Sequence, residues 1–397
     1  MNFQNQANEI AKIIQDWRRA LHQTPEVGLH LPQTRQLICH ALDEMDIPYQ
    51  TFANHSGIVA RIGSAEKPCI AIRADMDALP IAEDSALPYQ SKNENMHACG
   101  HDAHSAMLLG AAMLLKAQEA HLPGMVKLLF QPSEEYLPSG AAAMVADGVL
   151  ESPHVDAIIA LHVCVDDALD CKNGTILLKY GSACSAVDPI DLRIIGQGGH
   201  GSMPHTCIDP IAISAMVIHN LQYVINREIS AQRPAVLSFG TIQSGTGGDN
   251  IIPNEAHLLG TIRTTDPETR AYLLQRIEEV VHSTCTMMRA KAELNMADGC
   301  PAVCNDDAMV QSVLASAQTL FPADEIVLEK EIWMASEDVS FFFEHAPGCF
   351  FKLYCPAAHD DGTSYALHNA RFCLDDTVLY RGSMLFAQAA FDFLQKA

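Results

Sequence analysis

Cys99 and His101 are separated by a single glycine in the run Met96-His97-Ala98-Cys99-Gly100-His101-Asp102-Ala103-His104. A thiol and an imidazole at that spacing can turn towards one centre, because Gly100 permits a tight backbone path between them. Glu134 and Glu135 follow in Gln131-Pro132-Ser133-Glu134-Glu135, and His162 and His368 come later. Thiolate, imidazole and carboxylate form the donor set of zinc-type sites. Cys99, His101, Glu135, His162 and His368 would supply five ligands, enough for two ions about 3.5–4 Å apart. Of two adjacent carboxylates, one can ligate while the other reaches a water. His97 and His104 are further candidate ligands, with support of the loop as their simpler role. The chemistry expected is metal-assisted hydrolysis. A papain-like use of Cys99 as nucleophile lacks a matched cysteine–histidine layout.

Placing these groups requires a sheet. Gly57–Ile62, Cys69–Ala74, Gly124–Phe130 and Ala157–Leu161 read as strands. Apolar residues at Ile10, Ile13, Ile14, Trp17 and Leu21 have helical spacing. Further helices are expected over Leu31–Met45, with Pro32 in its first turn, over His104–Ala120 and over Gly140–Val149. Strands alternating with helices imply an α/β fold with a mostly parallel central sheet. Asp75, Asp77, Glu134, Glu135 and His162 all fall just after predicted strands, where open α/β sheets build their sites.

The texture changes near Ser185. An alternating strand over 188–196 leads into the glycine-rich turn Gly196-Gln197-Gly198-Gly199-His200-Gly201. Helices over 209–229 and 268–288, with strands over 236–242 and 256–264, predict a smaller α+β domain. It reads as an insertion at 185–295 into a larger domain made of 1–184 and 296–397. The C-terminal part returns to alternating elements and closes with a helix near Ser383–Leu394.

Composition narrows the classes of partner. The chain has 397 residues and a formal net charge of -23, with no Lys/Arg-rich block, which argues against nucleic acid. No stretch approaches the roughly 18 apolar residues of a membrane span. Thirteen cysteines without framework spacing read as reduced thiols, and the N-terminus lacks the basic and apolar regions of a signal peptide. A cytoplasmic protein is expected.

Nearly the whole chain closely resembles the M20 metallopeptidase family in its amidohydrolase branch, which contains hippurate hydrolases, N-acyl-L-amino acid amidohydrolases and plant auxin-conjugate hydrolases. The matching segments begin with Leu21-His22-Gln23-Thr24-Pro25-Glu26, Ala74-Asp75-Met76-Asp77-Ala78-Leu79-Pro80 and the Met96–His104 run. They continue with Gln131–Glu135, Gly199-His200-Gly201-Ser202-Met203-Pro204-His205, Asn250-Ile251-Ile252-Pro253 and Ser336-Glu337-Asp338. The resemblance implies two divalent ions (zinc, manganese, nickel or cobalt) on Cys99, His101, Glu135, His162 and His368, with the Cys99 thiolate as a bridge. It implies Glu134 as general base and Asp77 as an orienting carboxylate. His200 would stabilise an oxyanion, reaching the partner subunit's site, and Asn250 and Arg263 would bind substrate. The inserted domain would be a lid and a homodimerisation surface. The substrate implied is a small N-acyl amino acid, with a dipeptide or N-acetyl-diaminopimelate as alternatives and a non-catalytic binding protein as a remoter one. Departures from the branch occur at Val27–Pro32, at Gly201-Ser202 where Ala-Ala is commoner, and at Asn369-Ala370-Arg371. None removes a catalytic group.

Overall fold

A computed structural model of the chain describes residues 3–166, 169–245, 247–296, 299–359 and 362–396. It separates into two compact units, one of Met1–Ala183, Cys304–Glu331 and Asp338–Ala397, the other of Cys184–Val303 and Ile332–Glu337.

In the larger unit an eight-stranded sheet runs Tyr49–Thr51, Ile58–Ile62, Met125–Gln131, Cys69–Asp75, Ala157–Cys164, Gly348–Tyr354, Ile176–Leu178, Ile326–Leu328. Its centre is parallel: Cys69–Asp75 pairs in parallel with both neighbours, and Gly348–Tyr354 pairs in parallel with Ala157–Cys164. Those strands are buried on both faces, as a parallel sheet covered by helices requires. Antiparallel pairs lie outward, between Tyr49–Thr51 and Ile58–Ile62 and between Ile58–Ile62 and Met125–Gln131. The helices Gln4–His22, His101–Lys116 and Tyr380–Lys396 pack against one another, and the last two also lie against Cys69–Asp75. Beyond Ser105, His101–Lys116 is apolar almost all round, and nearly every residue of the helix is buried. Among the described residues two fully buried cations interrupt the strands. Arg73 and Lys127 are both fully buried, and Lys127 Nζ donates to the carbonyls of Val149, Glu151 and Pro153 at 2.9, 2.7 and 2.8 Å.

The smaller unit is an antiparallel sheet in the order Ala235–Ser244, Glu255–Thr264, Ala186–Ile195, Lys291–Asn295. Ala186–Ile195 alternates buried and accessible residues, which is how an antiparallel sheet covered on one face reads. Ile190, Leu192 and Ile194 pack with Val217 and Leu221 of the helix Pro210–Arg227 and with Leu273, Ile277 and Val281 of Pro267–Met287. Asp209 and Asp266 cap these helices, each ahead of a proline in the first turn. This unit extends past the 295 limit read from the sequence. Val187 and Cys300 exchange backbone hydrogen bonds at 3.0 and 2.7 Å, and Ser185 N donates to the carbonyls of Trp333 and Ala335. Those bonds draw the residues near 300 and 332–337 into the smaller unit, and no local pattern announces them.

Candidate metal centre

Gly100 sits in the left-handed region at φ +83, and a Cβ there would lie 2.5 Å from Val163 Cγ2. Only glycine fits, and the turn it makes separates Cys99 from His101, the first residue of the helix. That helix begins three residues earlier than the sequence pattern predicts, so His101 is fixed by helical backbone and not by a free turn. Cys99 Sγ lies 3.4 Å from His162 Nε2. His162 is inside the strand Ala157–Cys164 and not beyond it, because the apolar run continues through Val163 and Cys164. Its Nδ1 donates to Val163 O at 2.7 Å, which leaves the lone pair on Nε2. His101 Nδ1 pairs with Asp77 Oδ1 at 3.2 Å, the carboxylate–histidine arrangement that orients metal ligands. His101 Nε2 is buried and has no hydrogen-bond partner among the described residues.

Glu134 and Glu135 lie in a loop between the strand Met125–Gln131 and the helix Gly140–Ala146. The loop is closed by its own bonds. Gly140 N donates to Ser133 O at 2.9 Å, and Ser133 Oγ donates to the carbonyls of Tyr136 and Pro138. A Cβ at Gly140 would be 1.6 Å from Pro132 O, so the closure needs glycine. Asp77 Oδ2 accepts Glu135 N at 3.1 Å, so one carboxylate orients both His101 and the Glu135 backbone. His368 holds φ +65, an uncommon conformation for histidine, and its backbone N–H is tied to Ala98 O at 2.8 Å. Its Nε2 lies 3.2 Å from Glu135 Oε1.

The donor atoms therefore converge. Those of Cys99, His101 and His162 lie within 4.8 Å of one another, as do those of Cys99, Glu135 and His368, and those of His101, Glu134 and Glu135. The electrostatics match a cation-shaped need. Burial, and then the charges of Glu135, Glu134 and Asp75, push the Cys99 thiol well up from its ordinary range. Burial favours neutral His101, but Asp75, Asp77 and Glu135 outweigh it and hold the imidazolium up to about 10. Burial, with His104 beside it, keeps His162 neutral. A thiol, two imidazoles and a carboxylate brought together, with His101 Nε2 buried and unpartnered among the described residues, suit a divalent transition ion.

His104 is not free to ligate. Its Nδ1 meets Asp75 Oδ1 at 2.6 Å, and its Nε2 accepts Val163 N at 2.9 Å. Asp75 also accepts from Arg73 Nη1 at 2.9 Å, which places it in a supporting ion pair. His97 is fully buried, and burial drives its imidazole down to about 3. A second ionic cluster lies under the Cys99 turn: Arg18 Nε lies 2.7 Å from Asp102 Oδ2, and His22 bridges Asp102 and Glu83 at 2.8 and 3.2 Å. Sequence reading missed Arg73, Arg18 and Asp102 as supports. The available signal was a cation within an apolar strand or on the buried stripe of a helix.

In the smaller unit His200 and Asn250 come together on a two-stranded ribbon, where His200 pairs with Ile251 and Gly201 N donates to Asn250 O at 2.7 Å. Ser202 N and Ser202 Oγ lie 3.1 and 3.0 Å from His200 Nδ1. A backbone N–H can only donate, so the neutral ring carries its proton on Nε2. Arg263 sits on Glu255–Thr264 opposite Val187 and Val236. It is half-buried, and its Nη1 lacks a hydrogen-bond partner among the described residues.

Comparison with known proteins adds to this geometry. The model of peptidase family M20/M25/M40 matches residues 71–392. An N-acetyl-L-cysteine deacetylase of Bacillus subtilis (strain 168) is 37% identical over 375 residues, 94% of this chain and 86% of the relative. An N-acyl-L-amino acid amidohydrolase of Geobacillus stearothermophilus is 37% identical over 302 residues, 76% of this chain and 80% of the relative. A crystal structure of a dinuclear metal binding peptidase of the M20 family from Bacillus subtilis aligns with a TM-score of 0.81 at 32% identity, covering 98% of this chain and 99% of that one.

Proposed function

This chain belongs to peptidase family M20/M25/M40 and is a hydrolase, and from that premise we propose that it cleaves the amide bond of N-acyl amino acids with two divalent ions. The observation that carries the reading is the convergence of Cys99, His101, Glu135, His162 and His368, with His101 Nε2 buried and without a hydrogen-bond partner among the described residues and Glu134 beside them. Cys99, His101, Glu135, His162 and His368 would hold the metals, with Asp77 fixing two of them. The chemistry that bound ions would supply is polarisation of a carbonyl and a lowering of the pKa of water to about 7. Glu134 takes a proton from the attacking water and returns it to the leaving amine. His200 presents Nε2–H to the developing oxyanion, and Asn250 and Arg263 hold the carboxylate of the amino acid. Arg263 supplies a planar cationic fork that an acidic protein needs in order to retain an anion.

The reading includes a homodimer through the smaller unit, which the exposed Val236, Ile242 and Leu259 on its sheet strands support. Among the described residues no helix is long and apolar enough to cross a membrane. The cysteines are free thiols, which is compatible with the cytoplasm.

The test is amine release from benzoyl-, acetyl-, indoleacetyl- and longer-chain acyl amino acids and from dipeptides, with metal-loaded wild type and Glu134→Gln. Turnover of one acyl class is expected, with a loss of about 10²–10⁴-fold in the variant and metal content unchanged. Full activity in Glu134→Gln, or no turnover of any acyl amino acid by metal-loaded wild type, would sink the reading.

A further inference from the structure

The loop that carries Glu134 and Glu135 is stiffened from within by Ser133 and Gly140 and held at Glu135 N by Asp77, and two further fastenings hold its ends. Both fastenings lead to one side chain. Asp338 is 4% exposed. At the loop's start, Gln131 Nε2 donates to Asp338 Oδ1 and Oδ2 at 2.7 and 2.9 Å. At its end, Ser139 Oγ and Ala141 N donate to Asp338 Oδ2 at 2.6 and 3.3 Å. Arg73 Nη2 donates to Asp338 Oδ1 at 3.0 Å, while Arg73 Nε donates to Gln131 Oε1 at 2.7 Å. Arg73 reaches on to Asp75, which meets His104. The carboxylate thus ties the loop to the sheet strand that ends at Asp75.

We propose that Asp338 is a positioning residue that sets where Glu134 stands, by holding both ends of its loop with a single buried carboxylate. It accepts hydrogen bonds from Gln131, Ser139 and Ala141, and it pairs with Arg73, which is itself fixed in the sheet. A carboxylate has four acceptor lone pairs and no proton to place, so it can serve all these donors at once. An asparagine in its place presents an NH₂ to at least one donor and leaves a buried mismatch. Moving a general base by about 1 Å costs on the order of 10² in rate, so a small shift of the loop is read directly in turnover. The proposal rests on Glu134 being the base.

Asp338→Asn tests it. Arg73 keeps Asp75 and Gln131, so the larger unit retains its ion pair. The expected result is a fall of about 10²-fold in kcat, with KM within about threefold of wild type. In metal-free protein, amide exchange over 133–141 should speed up by about tenfold or more, with the strand Cys69–Asp75 unchanged. Ser139→Ala unfastens only the far end, and is expected to raise exchange there and lower kcat by a smaller factor. Wild-type kcat in Asp338→Asn overturns the proposal, and so does a lower kcat with unaltered exchange over 133–141. Retained turnover in Glu134→Gln would remove the base assignment instead, while loop exchange in Asp338→Asn would still report on the fastening.

Discussion

His101 shows how one side chain couples the site to pH. In the metal-free protein Asp75, Asp77 and Glu135 hold its imidazolium up to about 10, against the effect of burial. That proton stabilises the metal-free fold below the ordinary histidine pKa of about 6.5, and its contribution is lost as pH rises towards 10. A metal held as proposed by His101 and Cys99 would need the neutral ring and the thiolate, so binding would expel protons. Zinc or manganese affinity of the stripped protein should rise between pH 6 and pH 8, by about tenfold per pH unit for each proton released. Calorimetric titration in two buffers of different ionisation heat counts those protons. An affinity that is flat across this range would show that His101 and Cys99 do not ligate. At this scale the sequence offered candidate metal ligands, with Asp77, His97 and His104 as supports, but gave no role to Arg73, Arg18 or Asp102. Cys99, His101 and Glu135 stand out as candidate ligands by chemistry and spacing. The roles of Arg73 and Asp338 depend on contacts between residues far apart in the chain.

At the level of elements, the decisive piece is the turn into His101–Lys116. Gly100→Ala would force a side chain into a left-handed conformation and against Val163. The strain is expected to lower stability by about 1–3 kcal/mol and to move Cys99 away from His162. A thermal melt of the metal-free variant checks the first effect, and the metal retained after dialysis checks the second. A variant with wild-type stability and metal content would contradict this account of the turn. Helices were legible because apolar spacing is a local signal, as in Gln4–His22. Their first turns were less so: His101-Asp102-Ala103 looked like loop because the metal-binding types masked a helix start. The order of strands was not legible at all. Nothing local in Gly348–Tyr354 says that it lies beside Ala157–Cys164, since pairing partners are chosen by long-range packing.

For the molecule as a whole, two hydrophobic cores matter more than one. The larger unit is built around the cluster that includes Ile72, Leu108 and Phe351, and the smaller around Leu192, Val217 and Ile277. The candidate ligands all belong to the larger unit. Metal should therefore raise the unfolding temperature of one transition and leave the other nearly fixed. A metal at about 100 times its dissociation constant adds roughly 2.7 kcal/mol to the state that binds it. Differential scanning calorimetry with and without metal reads this. Equal shifts of both transitions, or one indivisible transition, would contradict it. The broad division of the chain was visible in the change of texture near Ser185. The return of 332–337 to the smaller unit was not, because it depends on hydrogen bonds to Ser185.

The place of Gly348–Tyr354 in the sheet also imposes a wait during synthesis. Ala157–Cys164 leaves the ribosome with one edge unpaired, and its partner begins 184 residues later, as the numbers 164 and 348 give by subtraction. At about 5–20 residues per second, that edge stays open for roughly 10–40 s. An apolar, fully buried strand exposed for so long is a template for other chains. The nascent chain is thus most exposed to aggregation while the inserted unit is being made, and slowing translation after residue 164 should increase its demand for chaperones.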